Sequence, residues 1–486
     1  MMSWGVFWLL VSMAAAQPQH PGQQHIFQYP VTTTRMLIPY ELFKKTTGRF
    51  FDQVFTWLGL HPYPETVARP AEVPESFRMG LSAMPRYGAQ GMTVSCAGCH
   101  VGTIFGKTVI GMSNRFPRTN RFFSIGKKGA LLMNAIRFDE FFPMSSGEKK
   151  MLQDLERSVK RIGIRTPQTL GLDTSLAQVS LSLAHRNADE WATFNPEFEQ
   201  SPRKSYFDHG VGDSKPAVWW NLKYKTRWLS DGSIISGNPV TTNFLWNEIG
   251  RGADLHELGQ WLADNRKVVD DLKDFVFSVK APHWTDFFPP TSIRLTKAKE
   301  GEKLFLKSCS GCHGVYQKNW SRVDAATLSA VDLLKTEKVF YKTPTEVKNV
   351  GTDSHRYKAM RELAQRLNPL AISKQNQIEI VPQNGYVPPP LEGIAVRFPY
   401  FHNNSVPTLC DVLSDPAARP LVYYAREVKD PDRDFDSECV GYPAVVQTPA
   451  HRYDTRRPGL GNQGHNMAKG LTFDQKMNII EFLKTL

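Results

Sequence analysis

Two hexapeptides of nearly identical sequence stand far apart in the chain, SCAGCH at residues 95–100 and SCSGCH at residues 308–313. In each, a Cys-x-x-Cys pair places two thiols about one helical turn apart, and the following histidine projects an imidazole toward the same side. This geometry suits a c-type haem, because each thiol can form a thioether with a vinyl group of the porphyrin while the imidazole binds the iron. The sequence therefore predicts two covalently bound haem c groups. The attachment and iron-binding residues would be Cys96, Cys99, His100, Cys309, Cys312 and His313.

Two other kinds of site use closely spaced cysteines, a zinc knuckle and a thioredoxin-like redox pair. Zinc needs four ligands, so each hexapeptide would have to recruit partners from distant parts of the chain. A redox pair does not need the histidine that follows the second cysteine. The complete Cys-x-x-Cys-His pattern, present twice, favours haem over both alternatives.

The N-terminus predicts export. A short apolar run from Val6 to Met13 precedes three alanines, a pattern typical of a signal-peptide cleavage site, which assigns residues 1–16 to a signal peptide. No lysine or arginine precedes the apolar run, so an ordinary buried N-terminal segment is the alternative. Export fits the haem prediction, because haem is attached to c-type cytochromes outside the cytoplasm. The expected location is therefore periplasmic or secreted.

Two cysteines, Cys410 and Cys439, lie outside the hexapeptides. In an oxidising compartment such a pair favours a disulfide. Two separate free thiols are the alternative, because the sequence does not show whether their side chains meet.

The composition fits a well-packed protein with long loops. Its 486 residues are enough for two or three domains, and they include 33 prolines and 34 glycines with a hydrophobic fraction of 41%. The formal charge of +12 would be partly offset by haem propionates, and a basic surface could attract an acidic redox partner. Lysines and arginines are scattered and no nucleic-acid motif is present, so no nucleic-acid partner is expected. Beyond the N-terminus no apolar run reaches transmembrane length.

The periodicity predicts a mainly α fold with two cytochrome c-like haem domains and long irregular loops. An N-terminal haem domain over residues 17–290 would end in an amphipathic helix near DLHELGQWLADNRKVVDDLKDFVFSV. A C-terminal cytochrome c domain over residues 291–486 would begin with a helix capped by Thr296 and end with a helix capped by Thr472.

Several motifs together resemble one family of proteins. They are the two hexapeptides, VIGMSNRF after the first, KPAVWWNLKYKTRWLSDG between them, PPPLEGIAVRFPYFHNNSVPTLCDVL, and GLGNQGHNMAKGLT before the last helix. This ordered set is similar to the dihaem cytochrome c peroxidase and methylamine-utilisation dihaem oxidase superfamily. The closest resemblance is to its rubber-oxygenase-like branch, and it covers most of the chain beyond residue 80.

The resemblance implies two unequal haems. His100 would bind the iron of a reactive N-terminal haem with an open or exchangeable sixth position, and His313 that of a six-coordinate relay haem. For the sixth ligand of the relay haem, His465 matches the distal histidine of the rubber-oxygenase-like branch. Tyr400 stands where the methylamine-utilisation oxidase supplies a tyrosinate, and Met467 would suit an ordinary cytochrome.

The resemblance also singles out Trp220 as a residue beside or between the haems, where its oxidisable ring would shorten an electron's path. Paired aromatics such as Trp219 and Trp220 are more often core residues, so both interpretations stay open. Three nearby cations are candidate propionate partners: Lys223, Lys225 and Arg227. Four other histidines are expected to be structural: His185, His209, His256 and His402.

The resulting hypothesis is a dihaem oxidoreductase that activates dioxygen or peroxide at the haem on His100. As an oxygenase it would cleave a hydrophobic organic substrate, although the chain is shorter than the rubber-cleaving members that it resembles. As a peroxidase it would receive electrons from a small cytochrome or another redox partner. A third alternative is an electron-transfer cytochrome with two six-coordinate haems and no reaction of its own.

Overall fold

The computed structural model describes residues 20–135, 140–235, 237–445 and 450–486. The predicted signal peptide, residues 1–16, lies outside these residues. Helices dominate, which confirms the prediction of a mainly α fold. The α-helices of the described residues are α1 Pro21–Phe27, α2 Tyr40–Thr47, α3 Phe51–Trp57, α4 Ala97–His100, α5 Thr119–Ala135, α6 Ser146–Lys160, α7 Ser175–Leu183, α8 Pro196–Gln200, α9 Pro239–Ile249, α10 Leu255–Asp264, α11 Arg266–Ser278, α12 Leu295–Ser308, α13 Ser310–His313, α14 Ala330–Leu334, α15 His355–Leu367, α16 Ala371–Gln375, α17 Leu409–Val412, α18 Pro431–Asp434 and α19 Phe473–Leu483.

The strands form small antiparallel sheets between the helices. One sheet has three strands in the order β1-β3-β2, and three two-stranded antiparallel sheets pair β4 with β5, β6 with β7, and β8 with β9. The strands are β1 Ile38–Pro39, β2 Leu81–Arg86, β3 Ala89–Val94, β4 Val101–Ile104, β5 Lys107–Ile110, β6 Val315–Lys318, β7 Thr336–Phe340, β8 Val422–Ala425 and β9 His451–Asp454. The first hexapeptide lies between β3 and β4, and the second lies between α12 and β6.

Two large hydrophobic cores organise the chain. The first core gathers side chains from α1, α7, α9, α10 and α11, and the second core gathers side chains from α12, α17 and α19. Helix α15, although late in the chain, packs its apolar side chains into the first core. The two cores are therefore interleaved along the sequence.

The second core is built on the crossing of α12 and α19. Phe305 of α12 and Phe482 of α19 place their ring centres 5.1 Å apart. At the crossing, Gly301 approaches α19 so closely that an added Cβ atom would lie 1.8 Å from the carbonyl oxygen of Asn478. Only a residue without a side chain allows this approach, which holds α19 and the loop before it over the second hexapeptide.

The cap predicted at Thr296 is wrong. Helix α12 begins at Leu295 after Arg294, whose side chain makes no cap hydrogen bond. The backbone N–H and the guanidinium of Arg294 both donate to the carboxylate of Glu481 in α19, at 2.9 and 2.8 Å. A contact with a distant helix therefore fixes the start of α12, and no local side chain caps it.

Two other helix predictions can be compared directly with the helices of the structure. Thr472 caps α19 as predicted, in a capping box with Gln475. The long amphipathic helix expected before the linker is two helices, α10 and α11, separated at Asn265. Asn265 donates its side-chain N–H to the carbonyl of Trp261, which satisfies the end of α10.

Cys410 and Cys439 form a disulfide, with their Cα atoms 5.0 Å apart. Within the described residues, no helix is both long enough and apolar enough to span a membrane.

The close approach at Gly301 gives a stability prediction. Replacement of Gly301 by alanine forces the new Cβ against backbone that cannot give way, so unfolding of the protein in denaturant should show a loss of stability of about 3 kcal/mol or more. The matched control is Gly126→Ala in α5, where an added Cβ meets nothing within 4 Å. That variant should gain about 0.5–1 kcal/mol, because alanine is the better helix former. Equal stabilities for the two variants would contradict the tight crossing.

Candidate functional site

The first hexapeptide folds as a single helical turn. Helix α4 ends at His100, and the backbone N–H of His100 donates to the carbonyl of Cys96 at 3.1 Å. The turn follows β3 directly and leads into β4, so both flanking strands hold it in place. This arrangement puts both thiols and the imidazole within one turn of backbone.

The ring of His100 is held by two contacts. Its Nδ1 lies 2.9 Å from the carbonyl oxygen of Ala217, so Nδ1 carries the proton and Nε2 is free to bind a metal. Trp219 stacks on the imidazole, with ring centres 5.1 Å apart and planes 30° apart. A backbone carbonyl on the non-binding nitrogen orients a metal-binding histidine and raises its basicity.

The second hexapeptide repeats this local geometry. Helix α13 ends at His313, whose backbone N–H donates to the carbonyl of Cys309 at 3.0 Å. The Nδ1 of His313 lies 2.8 Å from the carbonyl oxygen of Pro389, which again leaves Nε2 free. Both histidines are therefore oriented as iron ligands would need to be.

Three of the hexapeptide thiols, those of Cys96, Cys99 and Cys309, lie in buried surroundings that disfavour a free thiolate. Burial raises the pKa of Cys96 to about 11, that of Cys99 to about 12 and that of Cys309 to about 11. A redox-active cysteine needs a stabilised thiolate and hence a lowered pKa, so these three thiols are unlike those of a redox pair. No group of three or more His, Cys, Asp or Glu side chains within the described ranges is arranged to hold a metal ion.

His465 faces His313 across a gap. The two ring centres are 6.2 Å apart, and two imidazoles bound on opposite sides of one metal at bonds of about 2 Å have centres roughly 6 Å apart. The loop before α19 is held by Arg419, which donates to the carbonyls of Gly464 and His465 at 2.8 and 3.3 Å. The backbone N–H of His465 donates to Val350 at 2.8 Å.

The other two candidates for this position are placed differently. Tyr400 also lines the cavity between the two histidines, but its hydroxyl donates to the carbonyl of Val440 at 3.0 Å, and burial raises its pKa strongly. Formation of a tyrosinate is therefore costly there. Met467 lines the cavity and is 50% exposed.

The cavity beside the second hexapeptide has walls suited to a haem. Its lining joins Cys309, Cys312, His313 and His465 to apolar side chains such as Phe305 and Leu391, and no Asp or Glu is among its lining residues. Five cationic side chains also line it: Arg115, Lys215, Lys225, Lys348 and Arg397. Of these, Lys348 is paired with Glu346 at 3.0 Å. An apolar macrocycle that carries two carboxylates matches this combination of thiols, imidazoles, apolar surface and cations. The residues present therefore fit a haem at the second hexapeptide.

The two tryptophans lie in different cores. Trp219 belongs to the first core, against His100, whereas Trp220 is fully buried in the second core. The Nε1 of Trp220 donates to the carbonyl of Glu392 at 2.8 Å. Sequence reasoning singled out Trp220, and the structure adds Trp219 as the ring in contact with the first imidazole. The adjacency of a tryptophan pair was visible in the sequence, but the direction of each ring was not.

Of the three cations expected near a haem, Lys225 lines the cavity. Lys223 is exposed and lies over the ring of Tyr224, and Arg227 is directed to the carbonyl of Gly232 at 3.5 Å. Sequence reasoning missed Arg115, Lys215 and Arg397. No local signal marks them, since they reach the cavity from three separate segments.

Four further histidines were expected to be structural. His185 pairs with the carbonyl of Leu181 at 2.9 Å, and His256 stacks on Trp191 with ring centres 3.9 Å apart. His209 is exposed. His402 stacks on Tyr386 with ring centres 3.9 Å apart and lines the cavity, and its buried Nε2 has no hydrogen-bond partner among the described residues.

Residues 385–424 match a family described as RoxA-like, cytochrome c-like. The match supports a cytochrome c-type haem domain. Such a domain implies covalently bound haem c. The matched segment contains Pro389, which holds His313, together with Arg397, Tyr400 and His402 from the cavity wall.

Two curated relatives come from Sinorhizobium fredii (strain NBRC 101917 / NGR234). The uncharacterized protein y4iJ is 26% identical over 43% of this chain and 41% of its own length. The uncharacterized protein y4iM is 24% identical over 44% of this chain and 54% of its own length. The chain thus spans about half the length of the curated relatives that it matches.

Proposed function

We propose that the chain is an exported dihaem c-type cytochrome oxidoreductase. Cys96 and Cys99 would hold a haem on His100 that activates dioxygen or peroxide. Cys309 and Cys312 would hold a second haem, bound by His313 and His465, that relays electrons. The bound haem would supply one-electron redox chemistry and a binding place for the small oxidant.

One observation carries this proposal, the unequal surroundings of the two histidines. His313 has a second imidazole, His465, at the distance that ligation from both sides of one iron requires. Among the described residues, the aromatic ring in contact with His100 is that of Trp219, and it stacks on His100 itself. Two strong axial ligands exclude small oxidants, whereas a single imidazole leaves the opposite side of the iron accessible. This difference separates a reactive site from a relay site.

The expected partners follow from this assignment. In the oxygenase form a hydrophobic organic substrate would bind beside the first haem. In the peroxidase form a small cytochrome or another redox protein would deliver electrons to the second haem, and the formal charge of +12 suits an acidic one. The Cys410–Cys439 disulfide supports export, because disulfides persist in oxidising compartments.

Haem counting and EPR spectroscopy of the exported protein test this proposal. Pyridine haemochrome assays and intact mass should give two haems per chain. The double variants Cys96→Ala/Cys99→Ala and Cys309→Ala/Cys312→Ala should each lose one. The EPR spectrum should contain one signal that responds to added imidazole or peroxide and one low-spin signal that does not.

Two results would reject the proposal. A protein with two low-spin haems that ignore added ligand, even after reduction, would be an electron carrier. A protein that carries fewer than two haems would lack the relay haem. Incubation with polyisoprene and product analysis then separates the oxygenase form from the peroxidase form.

A further inference from the structure

Two cations from distant parts of the chain, Arg115 and Lys215, donate to one loop, residues 390–399, which itself carries Arg397. Arg115 donates through Nε to the carbonyl of Phe398 at 2.9 Å and through Nη2 to that of Val396 at 2.8 Å. Lys215 donates through Nζ to the carbonyl of Pro399 at 2.6 Å. Arg397 donates through Nη1 to that of Pro390 at 2.7 Å. Lys225 completes the set on the cavity wall, and we call these four residues the cation cluster.

Within the described residues, no Asp or Glu forms an ion pair or a hydrogen bond with a member of the cation cluster. The charged groups that act on Lys215 are Arg397 and Arg115, and Arg397 is the one that acts on Lys225. The groups that act electrostatically on Arg115 and Arg397 are three tyrosines: Tyr316, Tyr400 and Tyr442. Burial lowers the pKa of all four members, that of Lys225 to about 8 and that of Arg397 to about 10. Backbone carbonyls accept hydrogen bonds but do not neutralise charge. The free-energy cost of burying these cations is therefore not offset by an opposite charge.

We propose that the cation cluster binds the two propionate carboxylates of the second haem and that its surplus positive charge raises the reduction potential of that haem. This inference rests on the proposed function, since it assigns residues to the relay haem. A dicarboxylate is the chemical class that fits, because the described lining of the cavity contains the four members of the cation cluster and no Asp or Glu. The remaining lining cation, Lys348, is already paired with Glu346. Charge-assisted hydrogen bonds from arginine and lysine are the usual means of holding carboxylates.

The effect on the potential follows from the charge balance. Four cations against two carboxylates would leave positive charge on the wall of the cavity that would hold the second haem. Reduction adds one electron and removes one positive charge from the iron, so nearby positive charge favours the reduced form. Loss of one cation should therefore lower the equilibrium constant for reduction of the second haem by about tenfold or more, which is 59 mV for a one-electron couple.

The test measures the midpoint potential of each haem in the fully loaded protein by spectroelectrochemistry. The variants are Arg397→Gln and Lys225→Met. The matched control is Lys223→Met, which removes an exposed lysine two residues from Lys225. Both test variants should lower the potential of the second haem and leave that of the first unchanged, and the control should change neither. The low-spin spectrum of the second haem should persist in all three, because no axial ligand is altered.

Failure of this inference is distinguishable from failure of the proposed function. If both haems are present but the reduction constant of the second stays within about threefold in Arg397→Gln and Lys225→Met, the cation cluster does not serve the propionates, while the dihaem assignment stands. If the unaltered protein carries no second haem, both fail. Should Arg397→Gln not fold, the comparison of Lys225→Met with Lys223→Met decides alone.

Discussion

Replacing His465 with alanine is expected to convert the second haem from a low-spin to a high-spin or ligand-responsive state. The ring of His465 lies 6.2 Å from that of His313, centre to centre, so its removal would leave one side of that iron without a strong ligand. Absorption and EPR spectra of the loaded variant measure the change. Added imidazole should restore the low-spin signal by occupying the vacated position.

Two neighbouring variants serve as controls for His465→Ala. Met467→Ala removes a half-exposed side chain of the same loop, and its spectrum should match that of the unaltered protein. Tyr400→Phe removes the hydroxyl that donates to Val440, which should cost about 1 kcal/mol of stability without a change of spin state. A spin-state change in Tyr400→Phe, with none in His465→Ala, would transfer the ligand role to the tyrosine.

The sequence predicts features that depend on neighbouring residues, but not contacts between segments that are distant in the chain. The two hexapeptides place their thiols and imidazoles within one helical turn, so the type and spacing of the residues were enough to predict a haem site. The cap at Thr472 is equally local, because its partner Gln475 is three residues away. The start of α12 is not local. Glu481 of α19 holds Arg294 there, and no sequence pattern near Thr296 could show it.

The residues that form the cavity wall were also not predictable from the sequence. Arg115 donates to the loop that carries Arg397, and only the fold brings these two distant residues together. The family resemblance was enough to single out His465 as a candidate ligand. Its distance from His313, in contrast, depends on the crossing of α12 and α19. Helix α15 packs into the first core although it follows the second hexapeptide. Hydrophobic periodicity predicted such helices but not which core they join.

The tryptophan pair gives the second large expected effect. Replacing Trp219 with leucine should slow electron transfer between the two haems by about tenfold or more. Trp219 contacts the imidazole of His100, and the next residue, Trp220, lies in the second core with its Nε1 bonded to Glu392. Glu392 follows Leu391, which lines the cavity beside the second hexapeptide. Two successive side chains thus join the first imidazole to the wall of the second site.

The rate can be measured by reducing one haem rapidly and following its re-equilibration with the other by absorption. Trp219→Leu and Trp220→Phe should both slow it, and Trp219→Leu should slow it more, because leucine removes the ring that contacts His100. Trp228→Phe is the control, since Trp228 donates to the carbonyl of Gly237 outside this route. The midpoint potentials of both haems should stay unchanged, so that a slower rate reports the route and not the driving force. If all three variants transfer electrons at the rate of the unaltered protein, Trp219 and Trp220 are core residues only, and the haems exchange electrons without them.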